Sequence, residues 1–348
     1  MLTDENIRLA IKKSAEHKKN KRIVRRVCSD VDRFIPIIRD YAVNFKNPVH
    51  CVRVIYDGSS RKERTIVIPG YFEQVLHHMC VNAMMPMLTK GMYEHTYASI
   101  PGRGGHKGKK TVEKWIKKDK ANTKYCLKMD IRHFFGTIPH DILREKLSKY
   151  IRDEKFLSLL DEIFSATAIG LPLGFYTSQW LANWYLQEFD HFVKEKLKAK
   201  YYIRYNDDMV IFGSNKRELH HIKDEIKKFL KEKLGLTLKD NWQVFRFDYI
   251  ENGEHKGRAL DFMGFKFFRD RTTLRKRIML STTRKARRIY KKKERATAYD
   301  FKQLMSHLGW FSCTDTYNVY LVWIKPIINV QYCKRRISAY DKRKAKKG

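Results

Sequence analysis

Three carboxylates are the residues of this chain best suited to chemistry. Asp130 closes a β-like run from Tyr125 to Met129, and Asp207 and Asp208 occupy a turn between two more, Tyr201 to Tyr205 and Met209 to Phe212. Acids that meet at strand ends can hold two divalent ions, which activate an attacking hydroxyl and stabilise a leaving pyrophosphate in an in-line phosphoryl transfer. Hard carboxylate oxygens suit Mg2+, whose octahedron the substrate phosphates complete, with Mn2+ as a substitute. Plain turn chemistry is the competing reading, because Asn-Asp-Asp is also what a hairpin tip favours. Residue types alone leave both open.

The charge balance narrows the setting. Against 73 Lys+Arg stand 38 Asp+Glu, a formal net charge of +35 over 348 residues. An ordinary metabolic enzyme has no use for such asymmetry, whereas a polyanion rewards it by releasing condensed counterions. Charge by itself does not separate nucleic acid from an acidic membrane surface. No run approaches the roughly 18 apolar residues of a membrane span, and Met1-Leu2-Thr3-Asp4-Glu5 is not a secretory leader, so a soluble, cytoplasmic protein is expected. The six cysteines (Cys28, Cys51, Cys80, Cys126, Cys313, Cys333) show no zinc-ligand spacing and are expected to be reduced.

The elements that must position the acids follow from periodicity. Leu2 to about Lys46 is a basic helical leader, and Val49 to Tyr56 and Thr65 to Ile68 are strands flanking a turn at Asp57-Gly58-Ser59-Ser60. Tyr71 to Leu88 is helical. Ile100 to Gly108 is a basic, glycine-rich loop that lacks the lysine and hydroxyl of a P-loop. Helices are expected from Phe134 to Tyr150, Tyr176 to Leu197 and Leu219 to Leu234, strands within Ala259 to Phe268, and Lys/Arg-rich helix from Arg269 onward. Lys342 to Gly348 reads as a disordered basic tail.

Longer stretches overturn the turn-chemistry reading. Lys128-Met-Asp-Ile-Arg-His-Phe-Phe-Gly-Thr-Ile-Pro-His-Asp-Ile-Leu143 resembles the first catalytic motif of prokaryotic reverse transcriptases, and Arg204-Tyr-Asn-Asp-Asp-Met-Val-Ile-Phe212 resembles their Tyr-x-Asp-Asp hairpin. Gly170-Leu-Pro-Leu-Gly-Phe-Tyr-Thr-Ser-Gln179 is similar to the loop and helix beneath template and nucleotide. Phe262-Met-Gly-Phe265 is similar to the primer grip, Arg64 to Pro69 to the fingers hairpin, and Leu308-Gly309-Trp310 to the thumb. The likeness runs from about residue 50 to about residue 330. It implies an α+β right-hand polymerase fold: a leader and fingers over 1–118, a palm with an antiparallel sheet over 119–268 with part of the fingers inserted around 140–170, and a basic helical thumb and tail over 269–348.

The resemblance also implies roles. Asp130, Asp207 and Asp208 become the catalytic acids and, with Ile131, the metal set, Asp208 being the weaker ligand. Arg64, helped by Lys62, clamps the nucleotide triphosphate, and Leu173, Gly174 and Gln179 line the nucleotide site. Phe135 is the steric gate that turns away a ribose 2′-hydroxyl, with core packing as its bland alternative. Lys239 is a candidate proton donor to pyrophosphate. Partners implied are a structured template RNA, a primer or cDNA strand, dNTPs and a small basic accessory oligomer.

Departures refine the family. Most relatives carry glutamine where this chain has Leu173, and an aliphatic residue there with Ser178-Gln179 resembles the reverse transcriptases of diversity-generating retroelements, whose copying of template adenines is relaxed. Loss of an amide removes hydrogen bonds that seat the nucleotide. Asn206 and the pair Glu73-Gln74, where relatives have Asp-Arg, also depart. An antiphage-defence or group II intron-like reverse transcriptase, an RNA-dependent RNA polymerase and a non-catalytic nucleic-acid-binding scaffold are the alternatives.

Overall fold

In the computed structural model, which describes residues 1–56 and 63–346, Thr3 opens the chain's first helix by accepting a hydrogen bond from the Asn6 amide. Helix α1 (Asp4–Ser14) carries Asp4 and Glu5 in its first turn and Lys12 and Lys13 in its last, so both ends complement the helix dipole. With α2 (Arg22–Ser29) and α3 (Val31–Val43) it makes up the helical leader. Strands β1 (Cys51–Tyr56) and β2 (Glu63–Ile68) pair antiparallel, Cys51 opposite Ile68 and Tyr56 opposite Glu63. The turn expected at Asp57 to Ser60, and Lys62, lie outside the described residues.

Helix α4 (Tyr71–Thr89) follows, and then α5 (Gly105–Lys118), which begins inside the loop expected over Ile100 to Gly108. The reason is periodic burial: Gly108, Val112, Trp115 and Ile116 share one face of that helix. After β3 (Tyr125–Asp130), the single helix expected from Phe134 is two, α6 (Phe134–Thr137) and α7 (His140–Ser148). Pro139 breaks it, and Ile138 before the proline is extended (ψ 114°). Helix α8 (Glu154–Phe164) comes next. The helix expected from Tyr176 to Leu197 divides into α9 (Tyr176–Tyr185), α10 (Gln187–His191) and a π-turn over Phe192–Lys196. Strands β4 (Tyr201–Tyr205) and β5 (Asp208–Gly213) form the expected hairpin, followed by α11 (Lys216–Leu234).

The remaining elements are short strands, then helices. β6 (Gln243–Arg246), β7 (Tyr249–Glu251) and β8 (Glu254–Lys256) lead to β9 (Leu260–Phe262), β10 (Phe265–Phe267) and β11 (Thr272–Leu274). Thus the segment after Arg269 begins as strand before α12 (Lys276–Lys292), α13 (Ala298–Phe311), α14 (Tyr317–Trp323) and α15 (Val330–Lys346). The tail expected to be disordered from Lys342 is helical to Lys346.

Two compact units result. The first comprises Met1–Arg103, Leu127–Ile211 and Arg217–Val244. Helix α4 sits in it with α1 and α9 as neighbours, which is why Val75, Leu76, Met79, Cys80, Val81 and Met84 on different sides of α4 are all buried. The strands follow the order β4-β5-β3-β6, and the acid-bearing ends, Leu127 to Asp130 and Asp208 to Ile211, belong to this unit. In the second unit, β9, β10 and β11 form an antiparallel sheet with Phe262, Phe265 and Phe267 fully buried. The Trp310 ring of α13 lies 5.2 Å from that of Phe265, and a Cβ on Gly264 (φ 86°) would come within 3.0 Å of Trp310. The Phe262 to Phe265 motif and the Leu308 to Trp310 motif therefore meet. Helices with antiparallel strands, the acids on a central sheet, give the α+β right-hand polymerase fold.

Candidate active site

Asp207 begins with a brace that the motif alone does not reveal. Arg204 of β4 is 1 % exposed and is held by Asp190 of α10: its Nε donates to Asp190 Oδ1 at 2.8 Å and its Nη2 to Oδ2 at 2.5 Å. The remaining Nη1 donates to Asn183 Oδ1 (3.2 Å) and to the main-chain oxygen of Asn206 (3.1 Å). Tyr202 OH donates to Asp190 as well, at 2.7 Å. A buried guanidinium thus grips the turn immediately before the acids, where fork geometry gives direction as well as charge. Asn206 itself has φ 54°, a left-handed conformation that asparagine tolerates better than most side chains, which accounts for its place in the hairpin.

Across from it, Asp130 ends β3, and the chain beyond is tied to the segment after α11. The Lys239 amide donates to the Asp130 carbonyl at 2.9 Å, Arg132 N donates to Thr237 O at 2.8 Å, and Ile131, fully buried, bridges Leu238. Lys239 Nζ forms a close ion pair with Asp130 Oδ2. Asp130 Oδ1 is buried with no hydrogen-bond partner. The Asp207 carboxyl is pushed up to about 7, first by burial and then by the neighbouring Asp130 charge, with Asp208 adding to it. Two crowded carboxylates and an orphaned hard oxygen fit a divalent cation, which would reverse that shift. Asp208, on the same hairpin, opens β5.

The other expected residues surround a loop. Leu171 N donates to Phe135 O at 2.6 Å, and Val67 N of β2 donates to Leu173 O at 2.8 Å. Glycines make both approaches feasible: a Cβ on Gly170 (φ 78°) would lie 2.4 Å from Gly136, and one on Gly174 (φ 112°) only 2.2 Å from Val67 O. Phe135, Leu173 and Gly174 are thereby linked to the strand that carries Arg64, which pairs with Ile55 and is exposed. Phe135 is half-buried, whereas Phe134, its edge-on neighbour, is in the core. Gln179 is exposed on α9 while Thr177 and Ser178 are buried. Lys62 lies outside the described residues.

Among the described residues one trio brings its ligand atoms together, Asp248, His255 and Asp270 of the second unit. It is internally satisfied. Asp248 accepts from His255 Nδ1 (3.0 Å) and from Arg269 N (2.7 Å), and Arg271 Nη1 reaches His255 Nε2 at 2.6 Å. Sequence reading missed this network and the Arg204–Asp190 pair, since their members share no period.

Comparison with known proteins gives a family. The family described as reverse transcriptase (RNA-dependent DNA polymerase) matches residues 55–267. Protein YkfC of Escherichia coli K12 is 23 % identical over 292 residues, covering 71 % of this chain and 74 % of that protein. The retron Ec73 reverse transcriptase of E. coli is 26 % identical over 203 residues, 55 % of this chain and 61 % of its own length. Among solved structures, apo telomerase from Candida tropicalis superposes with a TM-score of 0.48 at 12 % identity, covering 76 % of this chain and 52 % of that one.

Proposed function

Since the chain belongs to the reverse transcriptase family, the RNA-directed DNA polymerases, we propose that it copies a structured RNA into cDNA and does so with errors at template adenines, as in a diversity-generating retroelement. The observation that carries the catalytic part is the pairing of Asp130, with its orphaned Oδ1, and Asp207, whose carboxyl is pushed up beside it. In this reading Asp130, Ile131, Asp207 and, more weakly, Asp208 hold two Mg2+ ions, or Mn2+ in their place. When bound, the ions lower the barrier to attack by a primer hydroxyl and neutralise the leaving pyrophosphate. The chain's own residues do the rest. Arg204 aims the hairpin, Lys239 pairs with Asp130, and Arg64 with Lys62 takes the triphosphate. Phe135 faces the sugar and excludes a 2′-hydroxyl.

The mutagenic part rests on Leu173, whose main chain supports β2 while its side chain offers the nucleotide no hydrogen bond. In this reading fingers, palm and thumb take the limits 1–118, 119–268 and 269–348, and a small basic accessory oligomer is the expected partner in the cytoplasm. Primer extension on an RNA template with Mg2+ and each dNTP tests the reading. Wild type should extend and Asp207→Ala/Asp208→Ala should not. Sequenced cDNA should carry errors opposite adenines that Leu173→Gln reduces; unchanged errors in that variant would reject the mutagenic assignment and leave the polymerase.

A further inference from the structure

The β1–β2 hairpin has little to hold it. Every residue of β1 is exposed, and of β2 only Val67 is buried. A two-stranded ribbon of this kind is marginal on its own and weakly fixed in direction. Beside the Val67–Leu173 hydrogen bond on β2, its ties lie at its roots, and both roots converge on Glu73.

Glu73, in the first turn of α4, is fully buried. Among the described residues no lysine or arginine pairs with it. Instead its Oε1 accepts from His50 Nε2 at 2.7 Å, one residue before β1, and its Oε2 accepts from the Gly70 amide at 3.1 Å, two residues after β2. Gln74 adds a third tie, its Nε2 donating to Pro69 O at 2.9 Å. His77, one helical turn on, places Nε2 3.7 Å from the same carboxylate and has no hydrogen-bond partner; burial pushes it down to about 3, so it is neutral. The Phe175 ring, next after Gly174, lies 5.2 Å from His50 and 4.5 Å from His77. Burial, with the Glu73 charge adding to it, pushes the Tyr41 hydroxyl up to about 12.

A buried carboxylate held by an imidazole and a main-chain amide, with no lysine or arginine among the described residues, is a poor source of stability, and its retention is understandable where it fixes geometry. We propose that Glu73 is a positioning residue for nucleotide binding: it locks both roots of the β1–β2 hairpin to α4 and to the Leu173–Phe175 loop, so that Arg64 meets the triphosphate in one orientation. This rests on the polymerase reading. Its consequence is specific, because the effect of Glu73 should pass through Arg64.

The test is steady-state extension of an oligo(dT) primer on poly(rA), comparing wild type, Glu73→Gln, His50→Gln, Arg64→Ala and Glu73→Gln/Arg64→Ala. Expected is a rise of about tenfold in KM for dTTP in Glu73→Gln with kcat within about twofold, a smaller rise in His50→Gln, and a double variant no worse than Arg64→Ala. An active wild type whose Glu73→Gln keeps its KM, or loses kcat alone, overturns this inference and leaves the polymerase. Additive effects of Glu73→Gln and Arg64→Ala overturn it too. If Glu73→Gln does not fold, His50→Gln decides on the same KM criterion. A wild type that extends nothing overturns the polymerase reading and this one with it.

Discussion

Asp207 is the residue at which the site's electrostatics can be measured directly. Its carboxyl is raised from the ordinary value of 3.8 to about 7 in the metal-free protein. A raised folded-state value means the folded chain holds a proton that the unfolded chain has released, so the associated stability is present below pH 3.8 and lost as pH rises through 7. Asp207→Asn should therefore stabilise the metal-free protein by about 1–2 kcal/mol more at pH 8 than at pH 4, after allowance for the partial exposure of the group. Thermal melts in EDTA read this, and equal shifts at the two pH values would contradict the carboxylate crowding. Millimolar Mg2+ should raise the wild-type midpoint and leave that of Asp207→Asn nearly unmoved. Phe135 has its own signature. Phe135→Val should gain ribonucleotide incorporation while Phe134→Val, a change in the core, should only destabilise, by about 1–3 kcal/mol.

At the scale of elements, the loop from Gly170 to Gly174 and the hairpin brace carry the predictions. A methyl group on Gly174 would sit 2.2 Å from the Val67 carbonyl, so Gly174→Ala must break the Val67–Leu173 hydrogen bond or shift β2. A loss of dNTP affinity larger than the loss of fold stability is expected, measured as KM against the melting midpoint; an unchanged KM would mean that the loop does not set β2. The Arg204–Asp190 pair, both 1 % exposed, should cost about 3–5 kcal/mol when Arg204→Ala leaves the carboxylate buried and alone. Removing both partners should cost clearly less than the sum of the single changes in urea melts.

For the whole molecule the charge is the governing quantity. On α12, Arg284, Arg287, Arg288 and Lys291 recur at helical spacing opposite the buried Thr282, Ala286 and Ile289, and they border a cavity of about 1070 Å3. Replacing Arg284, Arg288 and Lys291 with serine should weaken RNA binding alike for all sequences. The slope of log K against log salt should become shallower by about 2. A change confined to one RNA sequence would argue for base reading instead. Among the described residues no helix is long and apolar enough to cross a membrane.

The acids, their order along the chain and the hairpin that presents two of them were legible in the sequence because short-range patterns specify them: alternation gives the strands, and Asn206-Asp207-Asp208 gives the turn. Element ends were less so. Pro139 and the buried face of α5 moved them, since local propensity yields to what a neighbouring surface covers. The partners that aim the site were decided by tertiary structure alone. Arg204 finds Asp190, Glu73 finds His50, and Gly174 lets Val67 approach, through contacts that a linear pattern does not encode. Burial is the physical reason: a charge removed from water must be satisfied by whatever the fold brings to it, and only the packed chain determines what that is.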